Sequence, residues 1–238
     1  NRCQGVMGFL VNPFIEFPTA NWDWEDDFTS YATQGAFDTA YPSTDTGQIR
    51  GNPSTDKIDA QFVRTGSSDL MNHDVNAILG ENLSDSAWIF RTPYDITALD
   101  TGGNPQGAIG FSSSTADYNT VQDGIFFGQL ATSGTAFRFW DPDAETLDGS
   151  LQDEMSTTIT VALRYVQMIR LTTTKVNVSF SSTDSYDKDI DEKEYTINST
   201  TGGLSQFKIL NNNSGNVSGS ETTTLEYLQL NNGVTTPP

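Results

Sequence analysis

The densest set of potential ligands in the chain is Trp140-Asp141-Pro142-Asp143-Ala144-Glu145, with Asp148 and Gly149 close behind. Hard cations such as Ca²⁺ take clustered carboxylate and carbonyl oxygens in loops. Asp141, Asp143, Glu145 and Asp148 therefore form a candidate Ca²⁺ set. The helix-loop-helix calcium pattern with its central glycine is absent, and an ordinary acidic turn is the competing reading. An aromatic face beside a carboxylate also suits a sugar ring, the ring stacking and the carboxylate fixing hydroxyls. That makes Trp140 and Asp141 candidate ligand-binding residues.

Catalytic patterns are scarce. The acidic run from Asp187 to Glu194 interleaves Lys188 and Lys193 and follows a Ser/Thr-rich turn, which reads as a solvated hairpin. The only histidine, His73, stands in Met71-Asn72-His73-Asp74, and no sequence feature marks a nucleophile for it. The chain has no Gly-x-Ser-x-Gly elbow, phosphate loop or dinucleotide fingerprint, so it is read as a non-enzyme. One cysteine, Cys3, allows no internal disulfide and no cysteine-rich zinc site.

Twelve Lys and Arg against 31 Asp and Glu give a net charge of -19. A field of that sign repels phosphate backbones and argues against nucleic acid as a partner. No apolar run is long enough for a membrane-spanning helix. The chain begins at Asn1, as one would after removal of a signal peptide, and carries Asn-x-Ser/Thr sequons at Asn82, Asn177, Asn198, Asn212 and Asn216. These features point to an extracellular or cell-surface glycoprotein.

The elements that must position such residues are strands. Short patterned stretches recur between polar turns: Ala87-Trp88-Ile89-Phe90-Arg91, Ala108-Ile109-Gly110-Phe111 and Gly124-Ile125-Phe126-Phe127. Ile159, Val161, Leu163 and Tyr165 alternate with Thr158, Thr160, Ala162 and Arg164, which predicts a strand burying the first set. Val176, Val178 and Phe180 repeat the period, and Lys175, Asn177 and Ser179 are expected to face solvent with a glycan on Asn177. Trp88 is assigned to the core. Further strands are predicted over 204–210 and, as a single element, over 222–230. No helix longer than a turn or two is expected.

The apolar stretch VMGFLVNPFIEF, residues 6–17, contains Pro13 and reads as an extended or edge strand. Its residues Phe9, Leu10, Val11, Phe14, Ile15 and Phe17 either pack on their own domain or complete a neighbour's sheet. Residues 1–25 are accordingly read as an extended N-terminal segment, 26–233 as one β-sandwich domain and 234–238 as a tail or linker.

The order of Asp26-Asp27-Phe28, Ala87-Trp88-Ile89-Phe90-Arg91, Tyr94-Asp95-Ile96, Ile109-Gly110-Phe111-Ser112-Ser113 and the closing Leu225-Glu226-Tyr227-Leu228-Gln229-Leu230 resembles the concanavalin A-like lectin/glucanase superfamily. The likeness is greatest to laminin-G-like modules of microbial and archaeal cell-surface proteins. It implies an all-β, two-sheet antiparallel jelly-roll sandwich whose loops or concave face bind glycans or proteins, often with calcium. The Glu-x-Asp-x-x-Glu strand of the superfamily's glucanases is absent here. The expected function is an extracellular, non-enzymatic recognition or adhesion module with glycans or surface proteins as partners. The alternative is a self-assembling structural subunit of a filament, surface layer or virion, joined through its N-terminal segment.

Overall fold

A computed structural model describes residues 21–238 apart from 45–47, 66–69, 101–105, 119, 131–135, 148–150, 159 and 212–215; for 63–65, 130, 151–153 and 216–219 only the backbone is described. The candidate assembly residues from Phe9 to Phe17, together with Cys3, Asp148 and Asn212, lie outside the described residues.

Within them the chain forms two antiparallel sheets packed face to face, with strands numbered in chain order. The first sheet has nine strands: β1 (Trp24–Asp26), β2 (Ile49–Asn52), β3 (Lys57–Thr65), β5 (Trp88–Asp100), β10 (Ala162–Thr172), β11 (Lys175–Ser181), β12 (Asp191–Thr196), β14 (Asn216–Leu225) and β15 (Leu228–Asn232). The second has six: β4 (Leu70–Asp74), β6 (Gln106–Ser112), β7 (Gly124–Leu130), β8 (Ala136–Trp140), β9 (Leu151–Thr158) and β13 (Gln206–Asn211). Two short helices, α1 (Gln34–Ala40) and α2 (Val75–Leu79), close the corners. The all-β jelly-roll sandwich that the resemblance implies is the architecture found.

β5 is the spine of the first sheet. One edge pairs with β10 along its length, while the other pairs with β15 at Trp88 to Arg91 and with β14 from Asp95 onward. Pro93 cannot donate to a ladder and falls in the gap between those two partners. Thr92 bridges the gap, its hydroxyl donating to the Tyr227 carbonyl at 2.8 Å. The stretch 222–230, predicted as one strand, is therefore two, broken at Glu226 and Tyr227.

Between the sheets the alternate side chains are largely aromatic. From β5, Trp88 and Phe90 meet Phe111 of β6 edge-on at 5.3 and 5.1 Å. Tyr94 meets Phe127 and Phe137, Phe180 meets Phe137 at 4.5 Å, and Tyr195 stacks on Phe139 at 4.3 Å. Trp88 has no exposed surface, as expected. Such pairs add roughly 0.5–1.5 kcal/mol each beyond the area they bury. Gly107 permits close approach of the two layers: a Cβ there would lie 2.2 Å from the Phe62 ring.

The register of β10 overturns one expectation. Val166 and Met168 are fully buried and Arg164 is 6% exposed, whereas Val161 and Leu163 stand 58% and 37% exposed. A two-residue period specifies spacing but not which face turns inward. The long pairing of β10 with β5 and β11 decides it. Arg164 is accommodated by the carbonyl and hydroxyl of Thr160 and by the Phe137 ring.

The outer face of the second sheet is closed by a smaller core, Leu70, Ala108, Tyr118, Phe126, Trp140, Leu147 and Leu210, beneath the loops that follow β6 and β8. Lys208, also fully buried there, donates to the Ala116 carbonyl and to Gln122 Oε1. Burial pulls its ammonium down to about 7.

Replacing Phe111 by Ala should lower the unfolding free energy by about 3–5 kcal/mol in urea titrations, because it empties the junction of Trp88, Phe90 and Phe207. Val121→Ala, at a 59% exposed position, should change it by less than about 0.5 kcal/mol. Similar costs for the two variants would contradict an aromatic seam between the sheets.

Candidate functional site

Trp140 and Asp141 are not a sugar platform. Trp140 has no exposed surface and packs in the small outer core, and Asp141 is 2% exposed. The Asp141 carboxylate is used structurally, accepting from Asn198 N at 2.6 Å and Thr201 Oγ1 at 2.7 Å, while burial pushes it above the usual carboxylate range. Asp143 accepts from the Thr200 hydroxyl, and Glu145 lies in a backbone bridge to Gln122. These residues tie the loop after β8 to the turn before β13. Among the described residues no three His, Cys, Asp or Glu side chains gather to hold a metal. Asp141, Asp143 and Glu145 thus do not fit a Ca²⁺ ion by themselves.

His73 on β4 is a packing residue. Its ring is stacked between Tyr41 at 4.3 Å and Trp24 at 4.9 Å, and Nδ1 donates to the Ala40 carbonyl at 2.7 Å. Nε2 is buried and meets no hydrogen-bond partner among the described residues, so nothing here resembles a nucleophile-base pair.

The sequons separate by position. Asn82 and Asn198 are exposed. Asn177, expected in solvent, is 8% exposed and its Nδ2 donates to Glu192 Oε1 at 3.0 Å. Glu192 on β12 takes the Asn177 amide, and the loop over 182–190 folds back onto the end of β11. Lys188 N donates to Ser181 Oγ at 2.7 Å, and Ser179 and Ser181 are each 1% exposed.

That fold-back builds a cleft on the outer face of the first sheet. Across this face Glu25, Gln229, Arg91, Gln167, Ser179 and Glu192 lie in register on six neighbouring strands. Above Arg91 the chain places Tyr186, whose φ of 56° is in the left-handed region, where a bulky side chain is strained. Lys188 at φ 63° shares the strain. The strained turn is held by Asp189, which accepts from Ser182 N at 2.7 Å and from its hydroxyl, and these bonds lower the Asp189 carboxyl. The turn was expected to be solvated, and its acidic residues are exposed; Tyr186 in its middle is instead 5% exposed.

Tyr186 lies over the Arg91 guanidinium at 4.3 Å, with Trp22 on it at 5.6 Å. The Tyr186 and Tyr227 hydroxyls are 2.9 Å apart, and burial raises both phenols. Asp184, Gln229, Pro237 and Pro238 complete a cleft of about 440 Å³. A second cavity, of about 340 Å³, is lined by Asp23, Ile78, Leu79, Glu81 and Asn232 and has no aromatic wall. The arrangement in the first cleft can stack on a flat apolar face, hydrogen-bond hydroxyls through Asp184 and Gln229, and offer one cation. None of its residues was named as a binding residue from sequence, although an outward-facing Arg91 in an apolar strand and a lone tyrosine in an acidic turn were visible signals.

Peanut lectin superposes on the chain with a TM-score of 0.56 at 12% identity, over 87% of this chain and 95% of its own. The exoplasmic/lumenal domain of VIP36, solved in a Ca²⁺/Man3GlcNAc-bound form, gives 0.55 at 8% identity, over 81% and 83%. The chain shares the concanavalin A-like two-sheet fold of these proteins. The chain is also similar to a carbohydrate esterase of Shiga toxin-encoding bacteriophage phi24B, with a TM-score of 0.51 at 7% identity over 88% and 97%. No family model matches the chain, and no curated protein matches it in sequence.

Burial holds the His73 imidazole below its usual range near 6.5. As pH falls through that value the unfolded chain takes a proton that the folded ring refuses, so the group costs stability on the acid side. The melting temperature of His73→Phe minus that of wild type should therefore grow between pH 7.5 and pH 5.5, and a constant difference would exclude the effect. In a secretory host, glycopeptide mass spectrometry should find Asn82 and Asn198 occupied and Asn177 bare; an occupied Asn177 would require β11 to be uncovered.

Proposed function

We propose that the chain is an extracellular, non-enzymatic glycan-binding module whose ligand lies in the cleft around Arg91. The observation that carries this reading is the convergence of Trp22, Tyr186 and Tyr227 with the side chains of Asp184 and Gln229. Sugars present apolar ring faces edged by hydroxyls, and this combination of flat aromatic walls and polar rim matches them. The strained Tyr186 backbone supports a binding role, since strain of this kind persists where the surrounding structure holds it and clusters at ligand clamps. The shared sandwich adds support through neighbours that include a lectin and a domain solved with a bound oligosaccharide. Because the clustered aspartates after β8 are already bonded within the protein, the reading does not require calcium. The extracellular setting rests on the exposed sequons at Asn82 and Asn198.

A glycan array probed with and without Ca²⁺ tests the reading, followed by calorimetry on the best ligand. Trp22→Ala and Tyr227→Ala should each weaken binding by roughly tenfold, about 1.4 kcal/mol, by removing one stacking wall. Trp140→Phe should leave affinity unchanged. Silence of the array in both conditions, or equal loss from the Trp140 variant, would refute it.

A further inference from the structure

Arg91 is the basic residue that lines the cleft. The chain carries 31 acidic residues against 12 basic ones, and its described cations take either carboxylates or neutral partners. Lys57, Arg138, Lys175 and Lys188 are each paired with a glutamate. Arg170 is fully buried but donates to the carbonyls of Thr172, Thr173 and Thr201. Arg91 has only Gln167, whose Oε1 accepts from Nε at 2.8 Å. Among the described residues it forms no ion pair, and its terminal nitrogens have no hydrogen-bond partner. Burial in the cleft disfavours its charge and lowers its pKa.

The same contacts orient the group. Gln167 holds one edge of the guanidinium, Tyr186 covers a face, and Trp22 lies on it from further away. What remains is the end carrying the two terminal nitrogens, on a residue that lines the cleft. Two parallel N–H donors at fixed spacing match a planar carboxylate, which takes two hydrogen bonds of the charge-assisted kind. A neutral hydroxyl would gain from one donor but would leave the charge uncompensated. Asp184 on the rim and the net charge of -19 disfavour densely charged polyanions.

We propose that the cleft recognises a carboxylate-bearing sugar, its carboxylate held end-on by Arg91 and its ring against the aromatic walls. This rests on the glycan-binding reading above and adds the ligand class to it. The test is calorimetry on three matched oligosaccharides: one ending in a uronic acid, its carboxyl-reduced neutral counterpart, and a sulfated form of the neutral one. Wild type should bind the acid at least about tenfold more tightly than the neutral sugar, the scale of one charge-assisted pair. Arg91→Gln should bring the acid down to the neutral sugar's affinity. Arg91→Lys, which keeps the charge but loses the fork, should lose several-fold more on the acid than on the neutral ligand, and it covers the case in which the glutamine variant fails to fold. Equal binding of acid and neutral sugar by wild type would overturn the inference while leaving a glycan-binding cleft in place. Tighter binding of the sulfated form would overturn the carboxylate assignment. Failure of all three, on a protein whose melting curve is intact, would overturn the inference together with the reading beneath it.

Discussion

The constraint on which this molecule depends is the filling of the space between its two sheets. Facing sheets sit about 10 Å apart, and alternate side chains must occupy that gap without voids. Here rings do it: Trp88, Phe90, Tyr94, Phe180 and Tyr195 from one layer against Phe111, Phe127, Phe137, Phe139 and Phe207 from the other. Once those residues face inward, period-two geometry sends Arg91, Gln167, Ser179 and Gln229 outward. The polar face that carries the cleft is thus the other side of the same pattern.

The two outer faces have opposite fates. On the second sheet, Tyr118 and Leu147 from the loops cover Trp140, Phe126 and Leu210 of the strands, and even the lysine there is buried. On the first, the returning loop over 182–190 covers only the β11 side and leaves a concavity beside it. A carboxylate cluster next to a tryptophan therefore serves as structural clamp on the closed side, while the open side presents aromatic walls and a cation.

Much of the architecture was legible in the sequence, because β-branched and aromatic alternation states where strands are. The pattern at Val176, Val178 and Phe180 and the burial of Trp88 were read correctly for that reason. What local patterning does not state is which partner a strand takes. Hence the face of β10 was inverted, and the break between β14 and β15 was invisible until Tyr227 was seen to turn beside Thr92. The candidate site was less legible still. Trp140-Asp141 looked like a binding pair because a sequence does not show what covers a tryptophan. Asn177 looked exposed because Glu192, which takes its amide, is contributed by the strand that follows.

The cleft draws Trp22, Arg91, Tyr186 and Tyr227 from both ends and two interior parts of the chain. β1 reaches the sheet only through β15, which itself joins β5 late in the sequence. Long-range closures of this kind come at high entropic cost and tend to form last. A chain still leaving the ribosome, or clipped near either end, would have much of its apolar interior and an incomplete cleft. The walls around Arg91 would then be complete only in a molecule whose first and last strands have both joined the sheet.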